Sequence, residues 1–185
     1  MNPHDNSGVL NYVSIRHAGT LLGDGNELNG LTLGGVGDGT TISNIEVVGN
    51  LDDGIEFFGG TVDCQNLIVW AQGDDAFDID QSYDGTITNY VNVEGGTSDH
   101  ALEIDGGEGT MNNPFVMENG TLISEDGVEI HFRDFAVGSV QFMQHVKSLE
   151  HHSQSNNGCI PARTHTHTRT FTHAHEHAPC MHRHT

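Results

Sequence analysis

Residues 52–80 read DDGIEFFGGTVDCQNLIVWAQGDDAFDID, and the pattern that opens this stretch returns at its end. Two acids and a small residue lead into an apolar–acid alternation, first as DDGIEF (52–57) and again as DDAFDI (74–79). Related runs are GLTL from Gly30, ALEID from Ala101 and GVEIHF from Gly127, so the small residues that lead the strands, Gly30, Gly54, Ala76, Ala101 and Gly127, lie 24, 22, 25 and 26 residues apart. Between them runs a second strand family: VLNYVSI (9–15), TISNIEVV (41–48), VDCQNLIVW (62–70), TITNYVNV (86–93) and VMENGTLIS (116–124). Each carries an asparagine near its middle: Asn11, Asn44, Asn66, Asn89 and Asn119.

Alternation of apolar and polar residues is the period-2 signature of a strand with one buried face. No helical period appears before His145. Two or three short strands per repeat, with Gly, Asn and Asp between them, predict an all-β, right-handed parallel β-helix, a solenoid of about five coils of 22–26 residues. Equivalent residues then stack in ladders about 4.8 Å apart. The asparagines are expected to serve such a ladder structurally, satisfying backbone groups and hydrogen-bonding one another. Their register is imperfect, because the apolar parity shifts by one around Asn11 and Asn89.

Composition narrows the function. Up to His145 there are 24 Asp and Glu against two bases, Arg16 and Arg133, a formal charge of −22. Such a body repels nucleic acid and anionic membranes and attracts cations. No apolar run approaches the ~18 residues of a transmembrane helix. Three cysteines make no disulfide framework, and Cys64 reads as a buried thiol within a strand. The solenoid is assigned to 1–145, expected to be a fragment of a longer one. Residues 146–185 form a His/Thr-rich tail holding nine of the 14 histidines. Runs such as THTHT suit a weak zinc or nickel grip, and the same dipeptide alternation is what a CA-dinucleotide tract encodes. With no apolar pattern to continue the coils, this tail is predicted to be disordered.

Acidic corners precede the first strand family at Asp52–Asp53, Asp74–Asp75, Asp99–His100 and Glu125–Asp126. A second column, Glu56, Asp78, Glu103 and Glu129, points away from the apolar side chains and is expected to face solvent. Carboxylates about 5 Å apart repel by about 3 kcal/mol per pair at an effective dielectric near 20. Raised pKa values, splaying into water, or a cation must relieve this. Calcium, with six to eight oxygen ligands in loose geometry, suits Glu56, Asp78, Glu103 and Glu129. A solvated acidic face with diffuse counterions is the plainer alternative.

Two resemblances add to this. NLDDGIEF, GDDAFDI and SDHALEI resemble the polygalacturonase family, right-handed β-helices that carry an Asp, an Asp pair about one coil later, and a His one coil further on. That resemblance implies a glycoside hydrolase using Asp53, Asp74, Asp75 and His100. The family's Asn-Thr-Asp reads Asn50-Leu51-Asp52 here, its Gly-His-Gly reads Asp99-His100-Ala101, and its Arg-Ile-Lys motif is missing. A polyanionic substrate would be repelled, which leaves neutral glycans. The run from Ser7 to Asp105, with SGVLNYVSIRHAG, NELNGLTLGGVGDGT, DDGIEFFGGTV and GDDAFDID in order, looks like a family of secreted bacterial surface proteins and lipoproteins with no established activity. This second resemblance implies a β-helix, secreted or at the cell surface; the long flat faces of a solenoid are what suit a binding or scaffolding role toward a glycan or a surface protein. The glycine-rich segments 34–39 and 58–60 are expected to be tight corners, since no helix follows to make a phosphate loop.

Overall fold

A computed structural model describes residues 2–20, 22–23, 28–105, 115–124, 128–133, 140–143, 146–148 and 165–167, with backbone alone from residue 132 onward. Every regular element among them is a strand. One sheet stacks β1 (Val9–Arg16), β3 (Thr41–Val48), β5 (Cys64–Trp70), β7 (Thr86–Val93), β9 (Phe115–Glu118) and β12 (Val140–Met143), with β10 (Thr121–Ile123) also on β7. The other stacks β2 (Leu31–Gly34), β4 (Ile55–Phe58), β6 (Phe77–Asp80), β8 (Leu102–Asp105) and β11 (Ile130–Arg133). All pairings within these two sheets are parallel, and from β1 to β9 the strands alternate between them. This is the expected right-handed parallel β-helix, the hand that parallel crossovers adopt. Most of the tail lies outside the described residues. Within it β13 (Val146–Ser148) pairs antiparallel with β14 (His165–His167).

The asparagines explain the parity shift. Asn44, Asn66, Asn89 and Asn119 all have φ between 55° and 59°, the left-handed region that Asn tolerates better than most residues. One such residue inside a strand turns the chain and swaps the inward parity. Thus Ile42 is buried before Asn44, and Ile45 and Val47 after it; Cys64 before Asn66, and Leu67 and Val69 after it. Amide groups run from coil to coil: Asn44 Nδ2 donates to Asn11 Oδ1 (2.8 Å), Asn66 to Asn44 (3.0 Å) and Asn89 to Asn66 (3.1 Å). In the first coil the bend falls on Tyr12 (φ 55°), so Asn11 sits one position early.

Core side chains stack in files. Leu31, Ile55, Phe77, Leu102 and Ile130 are register partners, as are Leu33, Phe57, Ile79 and Ile104. Phe77 packs edge-on against Tyr90 at 5.5 Å, and Phe57 lies tilted by 46° against Tyr83 at 4.7 Å. Each fully buried Ile, Leu or Phe contributes about 1.5–3 kcal/mol relative to exposure. Cys64 lies in this core as a free thiol, as expected, and burial followed by the Asp63 charge pushes its pKa up to about 12.

Candidate functional site

The short-strand sheet carries two columns of titratable side chains along its outer side. The first stands at the corner before each strand. Gly54 N–H donates to the Asp75 carbonyl and Ala76 N–H to that of His100, which aligns Asp53, Asp75 and His100, while Ala101 N–H donates to the carbonyl of Glu129 opposite it. Asp53 Oδ1 accepts the Asp75 N–H at 3.0 Å, and Asp75 Oδ1 accepts the His100 N–H at 2.8 Å. These two carboxylates therefore tie each corner to the next. The Asp75 oxygen also lies 2.8 Å from His100 Nδ1.

The second column runs within the strands. Thr32, Glu56, Asp78, Glu103 and His131 are successive register partners. Two expectations are corrected here. Glu129 does not follow Glu103; it stands at the corner, exposed, and His131 takes the strand position. Apolar parity survives a slip of two residues, so GVEIHF alone could not separate the two registers, and the last step is 28 residues, Leu102 to Ile130. The second correction concerns solvent. Glu56 is only 8% exposed, while Asp78 and Glu103 are half-buried. Rungs this close shield one another, and Asn29 covers Glu56 with an amide hydrogen bond.

The columns converge. Oxygens of Asp52, Asp53 and Asp74 lie within 4.8 Å of one another, and so do those of Asp53, Glu56 and Asp78. Burial first, then neighbouring charge, raises the pKa of Asp53 to about 8, Glu56 to about 7 and Asp78 to about 9. Asp75 rises to about 7 through burial and its hydrogen bond with Glu103. Burial pulls His100 downward, but its hydrogen bond with Asp75 and the charges of Asp75, Asp99 and Glu103 more than reverse this. Asp78 Oδ1 is buried without a hydrogen bond.

Of the sequence candidates, Asp53, Asp75 and His100 are thus one corner file, Asp74 joins Asp52 and Asp53, and Glu56, Asp78 and Glu103 form one strand file. The Glu125–Asp126 corner lies outside the described residues. In the sequence Asp52 stands out only as part of its acidic corner; it joins the site through its closeness to Asp53 and Asp74, whereas the register alone brings in His131. On the other sheet, Asn44, Asn66, Asn89, Asn119, Ile68 and Val91 line a groove of about 390 Å3, with exposed Trp70 two residues beyond Ile68.

A family model described as a pectate-lyase-like beta helix domain matches residues 1–129. No curated protein and no solved structure gives a significant match. Among the described residues no helix is long and apolar enough to cross a membrane.

Proposed function

Because the chain belongs to the pectate-lyase-like β-helix domain family, we propose that it is a polysaccharide-binding module of a secreted or surface-attached protein and that its acidic ladder holds calcium. The observation that carries this reading is the convergence of Asp53, Glu56 and Asp78, beside Asp52 and Asp74, with a buried Asp78 oxygen lacking a hydrogen bond. An all-oxygen, all-carboxylate set fits a hard cation that accepts irregular geometry. The cation replaces the protons that the raised pKa values otherwise retain, so affinity climbs with pH through the range 7–9. Neutral glycans suit the opposite face, where the exposed Trp70 ring can stack on a sugar and the Asn amides line the groove beside it.

The test is thermal unfolding at pH 8.5 with millimolar calcium or chelator, together with a glycan array under both conditions. A rise of several degrees, abolished in Asp78→Asn, and glycan signals lost in Trp70→Ala are expected. An unchanged melting temperature removes the calcium reading; array signals that survive Trp70→Ala remove the glycan face.

A second reading, hydrolysis of a neutral glycan by Asp53, Asp74, Asp75 and His100, has one observation in its favour. Asp53 and Asp75 are protonatable near neutral pH, and His100 pairs with Asp75. Two features favour binding over it: both carboxylates accept corner amides, and the Asp53 and Asp74 oxygens lie within 4.8 Å, closer than the ~6.5–9.5 Å that inverting hydrolases leave for water. Reducing-sugar release that disappears in both Asp75→Asn and His100→Gln would reverse that preference.

A further inference from the structure

The ladder changes chemistry along its length. At Asp53, Glu56 and Asp78 it offers oxygen alone, but one coil on it offers nitrogen as well. His100 Nδ1 faces two carboxylates, Asp75 Oδ1 at 2.8 Å and Asp99 Oδ2 at 3.8 Å, and the ligand atoms of all three lie within 4.8 Å of one another. The next coil adds a second imidazole. The His131 ring lies 4.9 Å from that of His100, tilted by 40°. Its Nδ1 is buried and 3.2 Å from Glu103 Oε1, at an angle that makes a charge contact rather than a hydrogen bond.

We propose that this end of the ladder is a second metal site, distinct from the all-oxygen site and selective for a zinc-class divalent ion, held by Asp75, Asp99 and His100 with His131 as the second imidazole. Ligands about 2.0–2.2 Å from a tetrahedral zinc stand roughly 3.3 Å from one another. The separations of 2.8 and 3.8 Å from His100 Nδ1 to Asp75 and Asp99 bracket that value. Imidazole nitrogen suits zinc, copper and nickel, whereas carboxylate-only sets suit calcium and magnesium. Ligands from three successive coils would make the ion a clasp across the stack, which gives it a structural consequence in the folded chain.

The His-rich tail complicates a simple binding titration, and the linkage between binding and folding removes the complication. Zinc held equally by folded and unfolded chain leaves the melting temperature unmoved, while zinc held only by the folded site raises it. With the full chain, zinc at about a hundredfold over its Kd is expected to raise the melting temperature by roughly 5–10 °C. His131→Gln and Asp99→Asn should each remove most of that rise, and Asp99 is exposed enough (63%) for its replacement to leave the fold intact. The calcium response should survive in both. A tail variant, His173→Gln with His175→Gln, should keep the zinc response. Cobalt(II) absorption in the 500–650 nm region, lost in Asp99→Asn, gives a second readout. A zinc rise that persists in full in Asp99→Asn and His131→Gln, or one that vanishes only in the tail variant, overturns the proposal while leaving the calcium reading untouched.

Discussion

Asp78→Asn tests the energetics of the ladder directly. Asp78 stands between Glu56 and Glu103 in register, and its pKa is raised to about 9, chiefly by burial and then by those two charges. Its ordinary value is 3.8, so between pH 4 and 9 the folded chain holds a proton that the unfolded chain releases. Its contribution to stability is therefore complete below about pH 4 and is lost as pH rises through about 9. Asp53, Glu56 and Asp75, raised to about 8, 7 and 7, act in the same direction and add to the alkaline decline. Near pH 9, two ionised neighbours about 5 Å away cost up to about 3 kcal/mol each at an effective dielectric near 20. Half-ionisation of Asp78 itself and water at its partly exposed edge reduce the gain from Asn to about 2–3 kcal/mol. In a chain of this size that raises the melting temperature by about 5–10 °C. Below about pH 4 Asp78 is protonated in both states and the Asn amide replaces its proton as donor, so the two proteins should differ by less than about 0.5 kcal/mol there, and the gap opens as pH rises. Calorimetry without metal at pH 4, 7 and 9 measures this. A difference that does not grow with pH, or a variant less stable than the parent at pH 9, would refute the reasoning.

Tyr12→Asn should stabilise the first coil by about 0.5–1 kcal/mol, because Asn bears φ 55° with less strain than Tyr, whose side chain is exposed there; chemical denaturation reads it. Gly54→Ala should cost about 1–3 kcal/mol in the same assay, since its Cβ would lie 2.6 Å from the Ala76 carbonyl oxygen and closer still to Val69 Cγ1. Cys64, buried and with a thiol pKa near 12, should resist iodoacetamide at pH 8 until denaturant is added; peptide mapping that finds it alkylated in the native protein would contradict its burial.

The fold was legible because a solenoid writes its register into the sequence many times over. DDGIEF and DDAFDI announce the same rung, and Ile55 and Phe77 do pair. What the pattern could not supply was register at its irregular end and shielding across rungs. Period-2 alternation is unchanged by a two-residue slip, which is how Glu129 took the place of His131. Outward parity likewise says nothing of depth: Glu56 points away from the core and is still 8% exposed, because Asn29, Asp53 and Asp78 close over it. The same limit hid the closeness of the His100 and His131 rings, which the corrected register alone brings together.

The two ladders of this molecule place opposite demands on one geometry. An amide both donates and accepts, so Asn11, Asn44, Asn66 and Asn89 satisfy one another at 2.8–3.1 Å with nothing added, and the stack extends without limit. An ionised carboxylate only accepts, so an equivalent file of acids needs a donor or a cation at every step. Asp53 and Asp75 meet that need from the corner amides of the following coil, which gives them a structural use. Glu56 and Asp78 lie within the strands, where backbone N–H groups are engaged in the ladder between coils, and Asp78 Oδ1 stays without a hydrogen bond. A neutral file would have been the lower-energy choice at those positions, as the Asn file demonstrates on the other sheet. The strand acids are therefore the part of the ladder that the fold does not require, and a cation bound among them, as proposed, would turn their mutual repulsion into attraction.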